Sequence, residues 1–122
     1  MEFLAFSEEI ANAIPKGRAY VVDQLRRAAL SISLNVAEGA GEFAAADKAR
    51  FYRMARRSGT ECVAILDGCR RLSLLEDVAV VRGRELLHRI VSMLTALVLR
   101  LSEPGTGTAS LGTGTGTGGT QM

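Results

Sequence analysis

The chain has 122 residues, of which 48% are hydrophobic and 5% aromatic, with no tryptophan. That length allows one modest core, and an Ala- and Leu-rich, aromatic-poor composition favours helices over a β-sandwich. A formal net charge of +2 is too small to mark the chain, by itself, as a binder of nucleic acid or membrane.

The first predicted helix covers residues 2–14, where Phe3, Phe6, Ile10, Ala13 and Ile14 recur at helical spacing. Pro15 pushes the residue before it out of the helical region, and Gly17 supports a turn. The second helix covers residues 18–38, with a stripe of Val21, Leu25, Ala28, Ala29, Ile32 and Val36 and with Gly39 and Gly41 as its terminators. The third covers residues 45–72, where Phe51, Met54, Ala55, Ser58, Cys62, Ile65, Cys69 and Leu72 share one face close to a heptad. Gly59 and Gly68 weaken it by about 1 kcal/mol each relative to Ala, unless their missing side chains admit a neighbouring helix. The fourth covers residues 76–102, with Leu87, Ile90, Val91, Leu94, Leu97, Val98 and Leu101 as its stripe. Glu76 and Asp77 sit at its positive end, and Pro104 and Gly105 stop it. Residues 104–122 are a Gly/Thr-rich repeat that reads as a disordered tail. The fold expected over residues 1–103 is all-α, an antiparallel up-down-up-down four-helix bundle. The alternative is a bundle whose first helix is too short to close the core, so that another subunit lends cover.

Two helices carry more apolar surface than one bundle needs. On the second, Leu30, Leu34 and Ala37 fall about 120–180° from the core side. On the fourth, counting Leu86 and Met93 widens the stripe to about 160°, and Leu99 points away from it. This predicts a homo-oligomer with Leu30, Leu34, Leu86, Met93 and Leu99 at the interface. A monomer with scattered surface leucines is the alternative.

Several residues stand in a familiar order. Gln24 to Ala28, Ser31 and Ile32, then Asn35 to Gly39, then Phe51, Ala55, Arg56, Ser58 and Glu61 form a joint pattern. Over about residues 15–100 it resembles the four-helix-bundle family of 23S rRNA-intervening-sequence proteins, related to the accessory variability determinant protein of retroelements. Two departures stand out. The family usually carries Pro where this chain has Ser33, so the second helix should kink less. Its first helix is usually longer, so the core here should be closed less completely. The resemblance implies a left-handed bundle that assembles as a ring, with a pentamer favoured. Most members have no assigned activity; some are encoded inside 23S rRNA gene insertions, and a related branch acts beside a reverse transcriptase and binds nucleic acid.

The third helix opens with Lys48, Arg50, Arg53, Arg56 and Arg57 against Asp47 alone, and Arg71 comes later. Arg50, Arg53, Arg56, Arg57 and Arg71 are candidate phosphate contacts of low sequence preference, for RNA or DNA. A solvated face with local ion pairs is the competing reading. Structural polar roles are expected for Arg26, Arg27, Asn35, Glu38 and Glu61. Glu61 lies at the edge of the apolar stripe, where it needs a partner. Arg57 is one turn earlier, and a hairpin about residue 43 would bring Arg26 or Arg27 to it. The same register brings Glu38 near Lys48 and Arg50. Asn35, at the core border, could tie its helix to a neighbour.

Nothing in the inventory suggests an enzyme, a metal or another cofactor, and a small-molecule ligand is not expected. His88 is the single histidine, with Glu85 nearby but Arg84 and Arg89 crowding it. No Cys/His or Glu-x-x-His spacing points to zinc or di-iron. Cys62 and Cys69 lie two helical turns apart, roughly 10 Å, too far for a disulfide. They read as small core residues in a reducing compartment. The apolar run 90–99 falls short of the about 20 residues a bilayer span needs, and no charged-then-apolar leader opens the chain. The expected location is cytoplasmic. The expected function is a non-catalytic oligomeric bundle that binds nucleic acid, or an enzyme acting on it, as an accessory or scaffold. The alternative is a structural or protein-interaction bundle without such a partner.

Overall fold

A computed structural model describes residues 2–103 as four helices: α1 (Glu2–Ala13), α2 (Ala19–Gly41), α3 (Ala45–Arg71) and α4 (Asp77–Leu101). The proposed tail at 104–122 lies outside the described residues. The all-α fold expected from the periodicity is therefore the one observed.

Each helix stops for a local reason. After α1, Gly17 takes φ +94°, a left-handed turn position that glycine adopts without penalty. α2 runs past its predicted stop, through Gly39 to Gly41. Gly39 is a seat rather than a terminator: a Cβ there would lie 2.7 Å from Cε1 of Tyr52. The Lys48 ammonium then donates to the carbonyls of Gly39 and Ala40, at 3.2 Å each, and satisfies acceptors that the helix end leaves open. α2 is also continuous through Ser33.

α3 ends in a Schellman motif. The Leu74 N–H donates to the Cys69 carbonyl at 2.8 Å and the Ser73 N–H to that of Arg70 at 3.1 Å. Ser73 sits at φ 58°, where a side chain is disfavoured by about 1 kcal/mol or more. A Ser73→Gly variant should therefore gain about 1 kcal/mol, read as a higher urea midpoint at unchanged slope.

Polar pairs and close approaches across the helices fix their order. Arg27–Glu61, Ser31–Ser58 and Gly39–Tyr52 link α2 to α3 with residue numbers running in opposite directions. Asp67–Arg84, Gly59–Val91 and Arg56–Thr95 do the same for α3 and α4. α3 is thus the central helix of a three-helix layer. α1 lies across this layer between α2 and α4, tied by Glu8–Arg26 at 3.1 Å and Glu2–Arg82 at 2.9 Å.

The main core forms under α1, where Phe3, Leu25, Ile32, Leu66 and Leu87 are fully buried. Each such side chain contributes about 1.5–3 kcal/mol. α1 has 12 residues and α3 has 27, so α1 covers roughly 18 Å of a helix about 40 Å long. Beyond Phe3 a smaller cluster takes over, with Tyr52, Ala55, Leu94 and Val98 buried and Val36, Ile90, Leu97 and Leu101 half-covered. This half of the bundle is open between α2 and α4. The short first helix leaves Leu97 and Leu101 of α4 half-covered.

Three details differ from the sequence expectation. Leu86 is only 4% exposed and belongs to the core, because α1 lies over that side of α4. It is not available as an interface residue. α3 buries Tyr52, Gly59 and Leu66 beside Ala55, Ser58, Cys62 and Cys69, while Met54 and Leu72 are exposed. The buried seam is turned toward α4, since α3 must serve neighbours on two sides. Finally, Gly59 admits Val91 of α4, whose Cγ2 would lie 3.1 Å from a Cβ there, but Gly68 faces open space.

Candidate nucleic-acid interface

Because α3 has α2 on one side and α4 on the other, its outward face forms the middle of a broad surface. Arg50, Arg53, Arg57 and Arg71 all lie exposed on it. Among the described residues none of the four forms an ion pair. Two of the three acids of α3 are engaged by other helices. Glu61 accepts from Arg27 of α2 at 2.6 Å, and Asp67 accepts from Arg84 of α4 at 2.5 Å. These two carboxylates are thus neutralised by flanking helices, and Arg53, Arg57 and Arg71 have no ion-pair partner among the described residues.

Arg56 is placed differently. It is half-buried, and its Nη1 donates to Thr95 Oγ1 of α4 at 3.4 Å, so it leans toward the α3–α4 seam. Arg50 lies with its Cζ 4.4 Å above the ring of its neighbour Phe51, a cation–π contact that holds the guanidinium at the surface. Arg70, not singled out from the sequence, pairs with Asp77 at 3.5 Å and so closes the α3–α4 turn.

The structural polar residues divide. The Arg27–Glu61 pair forms across the α2–α3 hairpin, as its register predicts, and Arg27 also reaches Gln24. Both partners are substantially exposed, which puts the pair in the range below about 1 kcal/mol. Arg26 turns instead to Glu8 of α1. Asn35 stays on its own helix: its Nδ2 donates to the carbonyl and Oγ of Ser31. Ser31 Oγ in turn accepts from Ser58 Oγ of α3 at 2.9 Å, so the tie between helices passes through serine. Glu38 has no ion pair among the described residues, because Lys48 goes to the α2 carbonyls and Arg50 to Phe51.

Chemistry of the other reactive groups is quiet. Cys62 and Cys69 are buried free thiols. Burial pushes the Cys62 thiol up to about 12, with the Glu61 carboxylate adding to the rise and Arg27 opposing it. Burial also raises Cys69. Neither is poised as a nucleophile at neutral pH. His88 is exposed on α4. Among the described residues no cluster of His, Cys, Asp or Glu has the makings of a metal site, and no helix is long and apolar enough to cross a membrane.

Apolar surface remains on two helices. Leu30 and Leu34 are exposed on α2, and Met93 and Leu99 on α4, with Leu34 at 57% and Leu99 at 63%. Phe43, Tyr20, Val78 and Val81 are exposed as well, and no periodicity marks them out.

Four helices, a central arginine-rich helix and the absence of strands among the described residues define an all-α bundle. The chain belongs to the 23S rRNA-intervening sequence protein family, whose model matches residues 1–96. That match spans α1, α2, α3 and most of α4. No curated protein matches the chain.

Proposed function

We propose that this protein is a non-catalytic, homo-oligomeric accessory or scaffold bundle that binds RNA or DNA, or an enzyme working on them, through the outward face of α3. One observation carries the reading: Arg50, Arg53, Arg57 and Arg71 share that face without an ion pair among the described residues, although five arginines elsewhere are paired. Guanidiniums free of ion pairs on an exposed helix release counterions when they meet phosphates, and this favours binding of low sequence preference. Arg50, Arg53 and Arg57 fall within about 10 Å along the helix axis, so one backbone segment can engage all three. Arg56 contributes from the edge.

Association of copies would repeat the patch and raise its avidity. The exposed Leu30, Leu34, Met93 and Leu99 support such an assembly. A ring of five is the proposed form, on the strength of the resemblance. Two buried free thiols fit a reducing, cytoplasmic setting. The second reading, a protein-interaction bundle without nucleic acid, rests on the same exposed leucines.

Salt-titrated binding separates the two. The protein should bind mixed-sequence RNA or DNA at low salt and lose affinity steeply as salt rises. Changing Arg50, Arg53 and Arg57 together to Gln should shrink the log–log salt slope by about 2–3. Absence of binding at about 50 mM salt would leave the protein-interaction reading. Sedimentation at micromolar concentration tests the assembly, and monomers there would remove it.

A further inference from the structure

Phe43 is 99% exposed, more than any other large hydrophobic residue described. It stands in the α2–α3 link, directly before Ala44, the N-cap of α3. A hydrophobic residue at that place commonly staples onto the residue four positions into the helix. Here that residue is Lys48, whose ammonium is held on the Gly39 and Ala40 carbonyls. Phe43 therefore has no staple partner, and its ring buries nothing for the fold.

Beyond Phe43, α3 presents a row of groups suited to a nucleic-acid strand. The Arg50 Cζ lies 4.4 Å over the Phe51 ring, and Arg53 and Arg57 continue along the helix without ion-pair partners among the described residues. All of these lie within about 20 Å of Ala44 along the helix axis. An exposed aromatic ring at the start of a helix that carries a track of cations can hold unpaired bases: the backbone runs along the charge, and a base stacks on the ring. A duplex keeps its bases stacked on one another and offers such a ring nothing but its backbone. Glu42 and Asp47 balance Lys48 and Arg50 at the tip, so Phe43 adds contact there and not charge.

We infer that the α2–α3 tip, with Phe43 as its ring and Arg50 on Phe51 behind it, is a base-stacking platform that makes single-stranded nucleic acid the preferred ligand of the basic α3 face. This deepens the nucleic-acid reading above and rests on it. The test is anisotropy at about 50 mM salt with the full chain, a labelled mixed-sequence single strand and a duplex of equal length. Phe43→Ala should weaken single-strand binding by about 5- to 150-fold and change duplex binding less than about twofold. The salt slope should stay as in the wild type, and Phe43→Trp should restore affinity. Unchanged single-strand affinity in Phe43→Ala, with binding still lost in the Arg50, Arg53 and Arg57 triple variant, would overturn the platform and leave the basic face standing. Equal loss on single strand and duplex would overturn it too. Wild-type protein that binds neither would overturn both readings. A drop in native mass in Phe43→Ala with unchanged affinity would make the ring a contact between copies and also overturn the platform.

Discussion

Gly83→Val will destabilise the fold by about 1–3 kcal/mol, although valine is the better helix former. A Cβ at residue 83 would lie 2.6 Å from Leu66 Cδ1, 3.3 Å from Phe6 Cε2 and 3.7 Å from Ile10 Cδ1. Leu66 is fully buried, so its end cannot swing out of the way without displacing its neighbours. Phe6 and Ile10 belong to α1, which makes this a point of close approach between α1, α3 and α4. The helix-propensity gain of about 0.3–0.5 kcal/mol opposes the strain but does not match it. Gly68→Ala provides the comparison, since nothing lies within 4 Å of a Cβ there. That change should stabilise by about 0.5–1 kcal/mol. Urea unfolding of both variants measures the contrast; a Gly83→Val midpoint at or above wild type would refute the close packing at α1.

The second large effect is alkaline. With its folded-state pKa pushed up to about 12 from a reference of 9.0, Cys62 stays protonated in the native core at pH values where the unfolded chain ionises. Above the unfolded value the unfolded state binds fewer protons than the folded one, so stability falls as pH rises. The contribution of Cys62 is fully present below about pH 9 and is lost between there and about pH 12, at up to about 1.4 kcal/mol per pH unit. Cys69 adds in the same direction. Denaturant titrations of wild type and Cys62→Ala, in reductant, isolate the effect. The stability difference between them should stay constant from about pH 7 to about pH 8.5 and then move against the wild type. Parallel profiles to about pH 11 would mean that Cys62 ionises freely in the fold.

The helices were legible because Leu, Ile, Val and Ala recur at helical spacing, and that pattern is a local property. The hairpin register was legible too, since a short link between two long helices leaves little freedom, and Arg27 met Glu61 as a result. Errors arose where an outcome depended on a third element. α3 carries two overlapping heptad seams that share Ala55, Cys62 and Cys69. The seam with Tyr52, Gly59 and Leu66 is the more deeply buried, yet glycine adds no hydrophobicity and tyrosine little, so the pattern understated it. Leu86 looked like surplus surface because nothing local to α4 says that α1 will cover it. Gly39 looked like a stop signal because its partner, Tyr52, lies beyond the next turn. At the basic face, the types and positions of the arginines were readable in advance. Their lack of ion pairs was not, because it depends on where Glu61 and Asp67 find their partners, on α2 and α4.

The brevity of α1 has a practical side. Glu2 and Phe3 lie beside Ile90, partway along α4, and residue 103 leaves α4 at the far end of the same uncovered half. The far end of α4 is thus the pole with the half-covered Leu97 and Leu101. The opposite pole holds the turns around Lys16 and Ser73, both exposed. A dye or immobilising group placed at Lys16 would leave the uncovered half and the α2–α3 tip unobstructed.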